Sequence, residues 1–335
     1  MDFPFAKFMN HLELFLSDPI VDSCANTGTF LHPHSGGFAM KLAVLMLCHK
    51  DPVQTNMLLD LLDHEDIEIF VHVDKKSDMK KEIKGGKNVH LLPDDQRVDI
   101  QWGKYSMVNA TLNLMNEAAG FGKFDQYVLL SGQDLPLVPA GEILKFLEEN
   151  KGKNYVHLCE SKHHLAGKNN SFDKRNEIVY PEWLIQRDFT HRLLQFLWVN
   201  ISGGYNHTFK IFRRPQPEGI DFYFGSQWWC ITSEFFDYIL SYLKDHPEYE
   251  EFYRSSAVPD ESFFQTLLMN SPCKDSQTNY LHYVDWSQGN SSPKLLNLED
   301  VRTARNQGKL FARKFDRQAD AQTFDTMYQN LKQKN

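Results

Sequence analysis

The residues best suited to chemistry lie in a few short runs. Val258-Pro259-Asp260-Glu261 sets two carboxylates at the mouth of a helix that continues Phe263-Phe264-Gln265-Thr266-Leu267-Leu268. Proline pre-sets the first turn, so one acid can cap the helix while the other points outward as a general base. The same spacing also suits two acids that both cap. Three further runs follow apolar stretches directly: Cys48-His49-Lys50, His72-Val73-Asp74-Lys75-Lys76 and Ser131-Gly132-Gln133-Asp134. Ligands of open α/β sheets sit at the carboxyl ends of strands. Three such polar tips, with His49, Asp74, Ser131 and Asp134 among them, outline a nucleotide-sized crevice in which Asp74 can accept hydrogen bonds from a ribose or base. Asp74 and Asp134 serve equally well as caps of the next helix or turn.

Two more runs are ambiguous taken singly. Leu310-Phe311-Ala312-Arg313-Lys314-Phe315-Asp316 places two cations between aromatics, which alone describes a surface strand with snorkelling side chains. Gly225-Ser226-Gln227-Trp228-Trp229 offers paired tryptophans, either core or an aromatic platform for a sugar ring. No glycine-rich phosphate loop occurs, so hydride transfer and P-loop chemistry lose their support. No Asp-x-Asp occurs either, so a bound diphosphate would need cations from the protein, and no metal is expected.

The elements that must carry these runs alternate. Leu42–Leu47 is a short apolar run that reads as a buried parallel strand, and Ile67–Val73 and Tyr127–Leu130 repeat it. Helices fall between and after them: one from Pro52 with Met57, Leu58, Leu61 and Leu62, one with Val108, Leu112 and Met115, and one from Pro139 with Ile143, Leu144 and Leu147. This rhythm predicts an α/β fold, a mostly parallel sheet with helices on both faces. From about 160 to 220 the rhythm breaks into a His-, Lys-, Arg-, Asn- and Trp-rich insertion that reads as a cleft wall, with a helix around Trp183–Trp198. Strand and helix signals resume at Gly225–Thr232, Phe235–Leu243, after Pro259 and at Tyr280–Val284. The expected organisation is an extension over 1–39 (a leader, an expression-derived addition or a flexible segment), a domain over 40–318 and a C-terminal surface helix over 319–335.

Composition narrows the partners. The 335 residues carry 36 Lys+Arg against 44 Asp+Glu, a formal charge of -8. A general nucleic-acid binder leans the other way. The cysteines, five in all and none in a CxxC pair, point away from a disulfide framework or structural zinc. The apolar run near the front is far short of the ~20 residues of a membrane span, and no signal peptide is legible. These features predict a cytoplasmic setting, with peripheral contact at the inner membrane face as an option.

Taken in order, LMLCHK, FVHVDKKSD, QWGKYSMVNATLNLM, YVLLSGQDLPL, FGSQWWCITSEFFDYIL, VPDESFFQTLL and KLFARKFD resemble the core-2/I-branching enzyme family, glycosyltransferase family 14, which includes peptide O-xylosyltransferases. The resemblance runs from about residue 41 to 316. It implies a GT-A-like fold and an inverting, metal-independent transfer of a sugar from a UDP-sugar to a hydroxyl of a glycan acceptor. The UDP-sugar is a substrate, and no cofactor is needed. N-acetylglucosamine is the first-choice sugar and xylose the alternative; a non-catalytic sugar- or nucleotide-binding protein is the third option. The family's pattern assigns Glu261 as catalytic base, Lys314 to the diphosphate, Asp74 to the nucleoside and Trp102 to uracil. His282 falls where family members often carry a second diphosphate Arg, so it either supplies a weaker charge or is compensated by Arg313, Arg302 or Arg305. Trp228 and Trp229 are candidates for the acceptor side, as are Glu160, Lys174 and Arg175 in the insertion. With the missing span and disulfides, the resemblance suggests a bacterial enzyme of surface-glycan synthesis.

Overall fold

The computed structural model describes residues 40–159, 171–186, 188–202, 212–289 and 292–334, with backbone alone over 171–173. The extension over 1–39 and Glu160 lie outside the described residues. The strand β1 (Leu42–Cys48) is buried at all seven positions. Alternate residues of a strand face opposite sides, so β1 feeds two cores. Leu42, Val44 and Met46 join one layer, with Leu58 and Leu61 of the helix Pro52–Leu61, Ile143 and Leu147 of Ala140–Glu149, and Phe324 and Met327 of Ala321–Lys332. Ala43, Leu45 and Leu47 join the other, with Val108 and Met115 of Ser106–Phe121, Phe235 and Ile239 of Ser233–Asp245, and Phe263 and Leu267 of Phe263–Met269. Each such side chain contributes roughly 1.5–3 kcal/mol by leaving water. A strand covered on both faces has no polar side, which explains its unbroken apolar run.

β1 pairs in parallel with β2 (Ile67–Val73) and, on its other edge, with β4 (Gln126–Ser131). β2 extends the sheet to β3 (Val89–Leu91). Cys48 is opposite Val73 and Leu47 opposite Ser131, so the three strands end level and their polar tips are neighbours. Beyond β4 the sheet continues through β7 (Trp229–Thr232), β6 (Asn154–Val156) and β8 (Gln277–Thr278), in the order β3-β2-β1-β4-β7-β6-β8. β7 is antiparallel to both β4 and β6. The chain enters β7 from the side where β1, β2 and β4 end, so it must run back down.

The strand expected over Gly225–Thr232 is shorter, because the backbone of 224–226 bonds elsewhere: Phe224 accepts from the Cys159 N–H at 2.8 Å, and Gly225 donates to the Glu261 carbonyl at 2.8 Å. A second sheet orders β5 (Leu135–Pro136), β10 (Phe311–Arg313) and β9 (His282–Val284). It hangs Arg313 and Lys314 beside the loop that follows β4. A third apolar cluster, with Ile178, Tyr180, Leu184, Ile185, Val199 and Ala257, anchors the described part of the insertion against the segment that leads to Pro259.

Candidate active site

The donor-side residues gather where β1, β2 and β4 end. Asp74 is buried, its N–H donates to the Cys48 carbonyl at 2.7 Å, and its Oδ1 accepts from the Lys76 N–H at 2.9 Å. Asp74 therefore caps its own turn, as one reading of the sequence has it, while remaining beside His49. Loss of water and the charges of Lys50, Lys314 and Arg313 hold the His49 imidazole below its ordinary pKa, against an opposing pull from Asp74. Those five side chains thus share one electrostatic neighbourhood, and His49 is neutral at pH 7.

Two residues brace this crevice that sequence reasoning missed. Arg97 donates to three carbonyls, those of Val73 at 2.8 Å, Asp74 at 2.9 Å and Ser77 at 2.7 Å, and so fixes the loop after β2. Gln54, wholly enclosed, donates to the carbonyls of Gly132 at 2.7 Å and Phe315 at 3.2 Å and accepts from the Arg317 N–H at 2.7 Å. It ties the loop after β4 to the run that carries Lys314. Neither residue stands in a pattern that marks it; each acts through backbone groups far away in sequence.

The two cations of that run differ. Lys314 is half-buried and its Nζ lies 3.0 Å from the Ser292 hydroxyl. The Arg313 guanidinium turns inward: it pairs with Asp134 at 3.2 Å, donates to the Ser131 hydroxyl at 3.3 Å and lies 4.0 Å over the Trp228 ring. Asp134 is fully buried, and burial pushes its carboxyl up while Arg313 opposes that shift. Ser131 and Asp134 therefore hold Arg313 in place from behind.

Glu261 lies on a short turn, Pro259–Glu261, reached through Val258 at φ 51°. That left-handed geometry is costly for a β-branched residue. It is fixed by the Val258 N–H, which donates to the Gly103 carbonyl at 2.9 Å. The turn carrying Trp102, which is half-buried, is thus bonded directly to the base loop. Arg175 Nη1 donates to Glu261 Oε2 at 2.6 Å. Asp260, next in the chain, is buried; burial and then the Glu261 charge push its carboxyl up to about 7.

The loop also touches the cation side. Gly225 donates to the Glu261 carbonyl, Gln265 donates to the Ser226 carbonyl at 2.6 Å, and Trp228 two residues on carries Arg313. A Cβ on Gly225 would fall 1.8 Å from the His157 carbonyl oxygen. Only glycine allows this approach, and a lone glycine before a strand is the kind of signal that marks one.

The geometry places five other candidate residues as follows. His282 is 0% exposed, lies between Phe311 at 5.3 Å and Tyr280 at 6.3 Å, and is held well below its ordinary pKa by burial and by the Arg313 and Lys309 charges. It is a neutral core ring, not a phosphate cation. Trp229, also 0% exposed, packs on Phe264 and has no face to offer a sugar. Trp228 gives a ring face to Arg313 and is itself nearly buried. Arg175 serves Glu261, and Lys174, its neighbour, is buried. Among the described residues, no cluster of three or more His, Cys, Asp or Glu side chains is arranged to hold a metal ion, and no helix is long and apolar enough to cross a membrane.

A model of the core-2/I-branching enzyme family matches residues 42–307. The chain belongs to that family. Among its relatives, xylosyltransferase 2 of Homo sapiens is 28% identical over 265 residues, 75% of this chain and 27% of that protein. A xylosyltransferase of Ciona intestinalis is 24% identical over 308 residues, 83% of this chain and 32% of that one. This family member therefore spans about 27% to 32% of the length of those two relatives. The solved structure of the mannosyltransferase Ktr4p from S. cerevisiae in complex with GDP aligns with a TM-score of 0.36 and 10% identity, over 83% of this chain and 79% of that one.

Proposed function

We propose that the protein is an inverting glycosyltransferase that moves a sugar from a UDP-sugar to a hydroxyl of a glycan acceptor without a metal. The observation that carries the reading is that the backbone of a partly exposed carboxylate, Glu261, is bonded to the Gly225–Trp228 segment, whose Trp228 ring lies under Arg313, the neighbour of Lys314 in the chain. In this reading the nucleoside lies along Asp74 and Trp102. Glu261 takes the proton of the acceptor hydroxyl as its oxygen bonds to the anomeric carbon. The bond from that carbon to the diphosphate oxygen breaks, its electron pair leaves with UDP, and Lys314 faces the growing charge. A positioned base supplies ~10²–10⁴ in rate, and one preorganised donor to the leaving group about 10²–10³.

The likeness to xylosyltransferases favours xylose as the donor sugar over N-acetylglucosamine. The test is UDP release from UDP-xylose and UDP-N-acetylglucosamine with a panel of glycan and peptide acceptors. Acceptor-dependent release, lost in Glu261→Gln with UDP binding intact, is the expected result. Wild-type rates in Glu261→Gln, or UDP binding without release on any acceptor, would overturn it.

A further inference from the structure

A cavity of about 500 Å³ is walled by the helices Ser233–Asp245 and Pro247–Arg254, by the helix Phe263–Met269 and by the loop before Asp221; neither Glu261 nor Lys314 lines it. That size is typical of a small-ligand site. One wall is a ladder of rings. Tyr238 and Tyr242 stack 5.7 Å apart at 27°, and Tyr242 and His246 4.4 Å apart at 30°, because residues four apart share a helix face. Tyr249 meets Tyr242 edge-on at 90° and is pinned by its hydroxyl, which donates to the Phe263 carbonyl at 2.8 Å. The Asn270 amide is likewise fixed, donating to the Asp221 and Thr266 carbonyls at 2.7 and 2.8 Å. The cavity is thus lined by side chains already held in position.

We propose that this cavity binds one neutral pyranose unit of an oligosaccharide, at a subsite separate from the strand-end site. A pyranose has apolar C–H groups and a rim of hydroxyls; the ring edges of the stacked ladder can meet the first and its phenol tips the second. Tyr238 and Tyr242 are half-buried, and among the described residues no hydrogen bond occupies either hydroxyl. Burial pushes both phenols up, so they stay protonated and can donate. The charges argue against an anionic ligand. Among the described residues no lysine or arginine lines the cavity, and of its three ionisable groups other than phenols, Glu218, His246 and Glu248, the last two pair with each other, His246 Nδ1 lying 2.9 Å from Glu248 Oε1. A phosphate or carboxylate would find no dedicated cation there.

Saturation-transfer NMR on the full chain tests this, with diacetylchitobiose, lactose and xylobiose as probes in the presence of saturating UDP. At least one probe should take up saturation, equally in wild type and in Glu261→Gln, since binding here needs no transfer chemistry. Tyr242→Ala should weaken that probe by about 2- to 10-fold, the worth of one ring contact. Tyr242→Phe, which keeps the ring and the packing, should weaken it less and decides the matter if the alanine variant does not fold. No signal from any of the three probes, or affinity unchanged in both Tyr242 variants, would overturn the proposal.

Discussion

Arg175 holds Glu261 by one oxygen: its Nη1 donates to Oε2 at 2.6 Å, with the arginine side chain 3% exposed and the carboxylate 28% exposed. Among the described residues no hydrogen bond occupies Oε1. A charge-assisted bond from a buried guanidinium fixes the carboxylate in one orientation, which is what a base awaiting a hydroxyl proton requires. Arg175→Met should therefore lower turnover by about 10- to 100-fold, part of the ~10²–10⁴ that a positioned base supplies. UDP affinity should hold, because the cations at the strand ends are untouched. Turnover assays beside calorimetric titration of UDP separate the two. Unchanged turnover would show that Glu261 needs no clamp, or is not the base.

Asp260 gives the same loop a pH dependence. Its carboxyl is pushed up to about 7 by burial and by Glu261, against Arg175. A raised acid binds its proton more tightly in the folded chain. From about pH 4 to pH 7 the folded state thus holds a proton that the unfolded state has released, and stability falls as pH rises through that window. The cost is complete above about pH 7 and is at most a few kcal/mol. Asp260→Asn removes it. Melting temperatures should show the variant gaining stability at pH 8 and losing that advantage by pH 5. An equal difference at both pH values would exclude the titration.

Much of this was legible in the residues, and the rest was hidden for identifiable reasons. β1 is apolar throughout because both its faces are covered, and the tips at Asp74 and Ser131–Asp134 are polar though buried, because their polar groups bond to the backbone of their own turns and to Arg313. The run Leu310–Asp316 was legible only as two cations; that Arg313 turns back to Asp134 while Lys314 does not depends on a pairing across 179 residues or more, far beyond any local period. Arg175 was noted for the acceptor, yet its partner lies 86 positions away. His282 stood where a cation was expected. Only its burial between Tyr280 and Phe311 shows that its imidazole is held well below its ordinary pKa. The reversal of β7 is set by the side of the sheet at which the chain arrives, which strand-length patterns do not record.

In the proposed reaction Lys314 is the cation that meets the leaving diphosphate, Arg313 being engaged by Asp134, Ser131 and Trp228. Lys314→Ala should cost about 10²–10³ in turnover with little change in melting temperature, because the side chain is half-buried and not part of either core layer. Lys314→Arg should not restore full rate, a planar fork being a poor substitute for a compact charge. Activity in excess EDTA should remain close to untreated levels. A strict requirement for added Mn²⁺ or Mg²⁺ would overturn the proposed division of charge.

Asp134 should behave differently from Lys314. It is fully buried, and it is the carboxylate against which Arg313 is neutralised at 3.2 Å. Removing one member of a buried pair strands the other charge and typically costs about 3–5 kcal/mol. Asp134→Ala should accordingly lower the melting temperature as well as the activity. Asp134→Asn, which keeps the shape and the Ser131 contacts but not the charge, should be less damaging to the fold. If both variants melt like wild type, Arg313 has found another partner and the pair is not what holds it.

Gly225 joins the two halves of the site most directly. Its N–H donates to the Glu261 carbonyl at 2.8 Å, and its Cα lies so close to His157 that an added Cβ would fall 1.8 Å from the carbonyl oxygen and 2.8 Å from the carbonyl carbon. The obstacle is backbone, so no rotamer change relieves it, and the Gly225–Trp228 segment must move. Overpacking of this kind costs about 1–3 kcal/mol. Moving the segment also shifts the donor that fixes Glu261 and the ring under Arg313, so Gly225→Ala should lose more activity than its loss of stability explains. The decisive measurement is turnover well below the variant's own melting temperature. Activity restored there to the wild-type level would mean that the glycine serves folding alone.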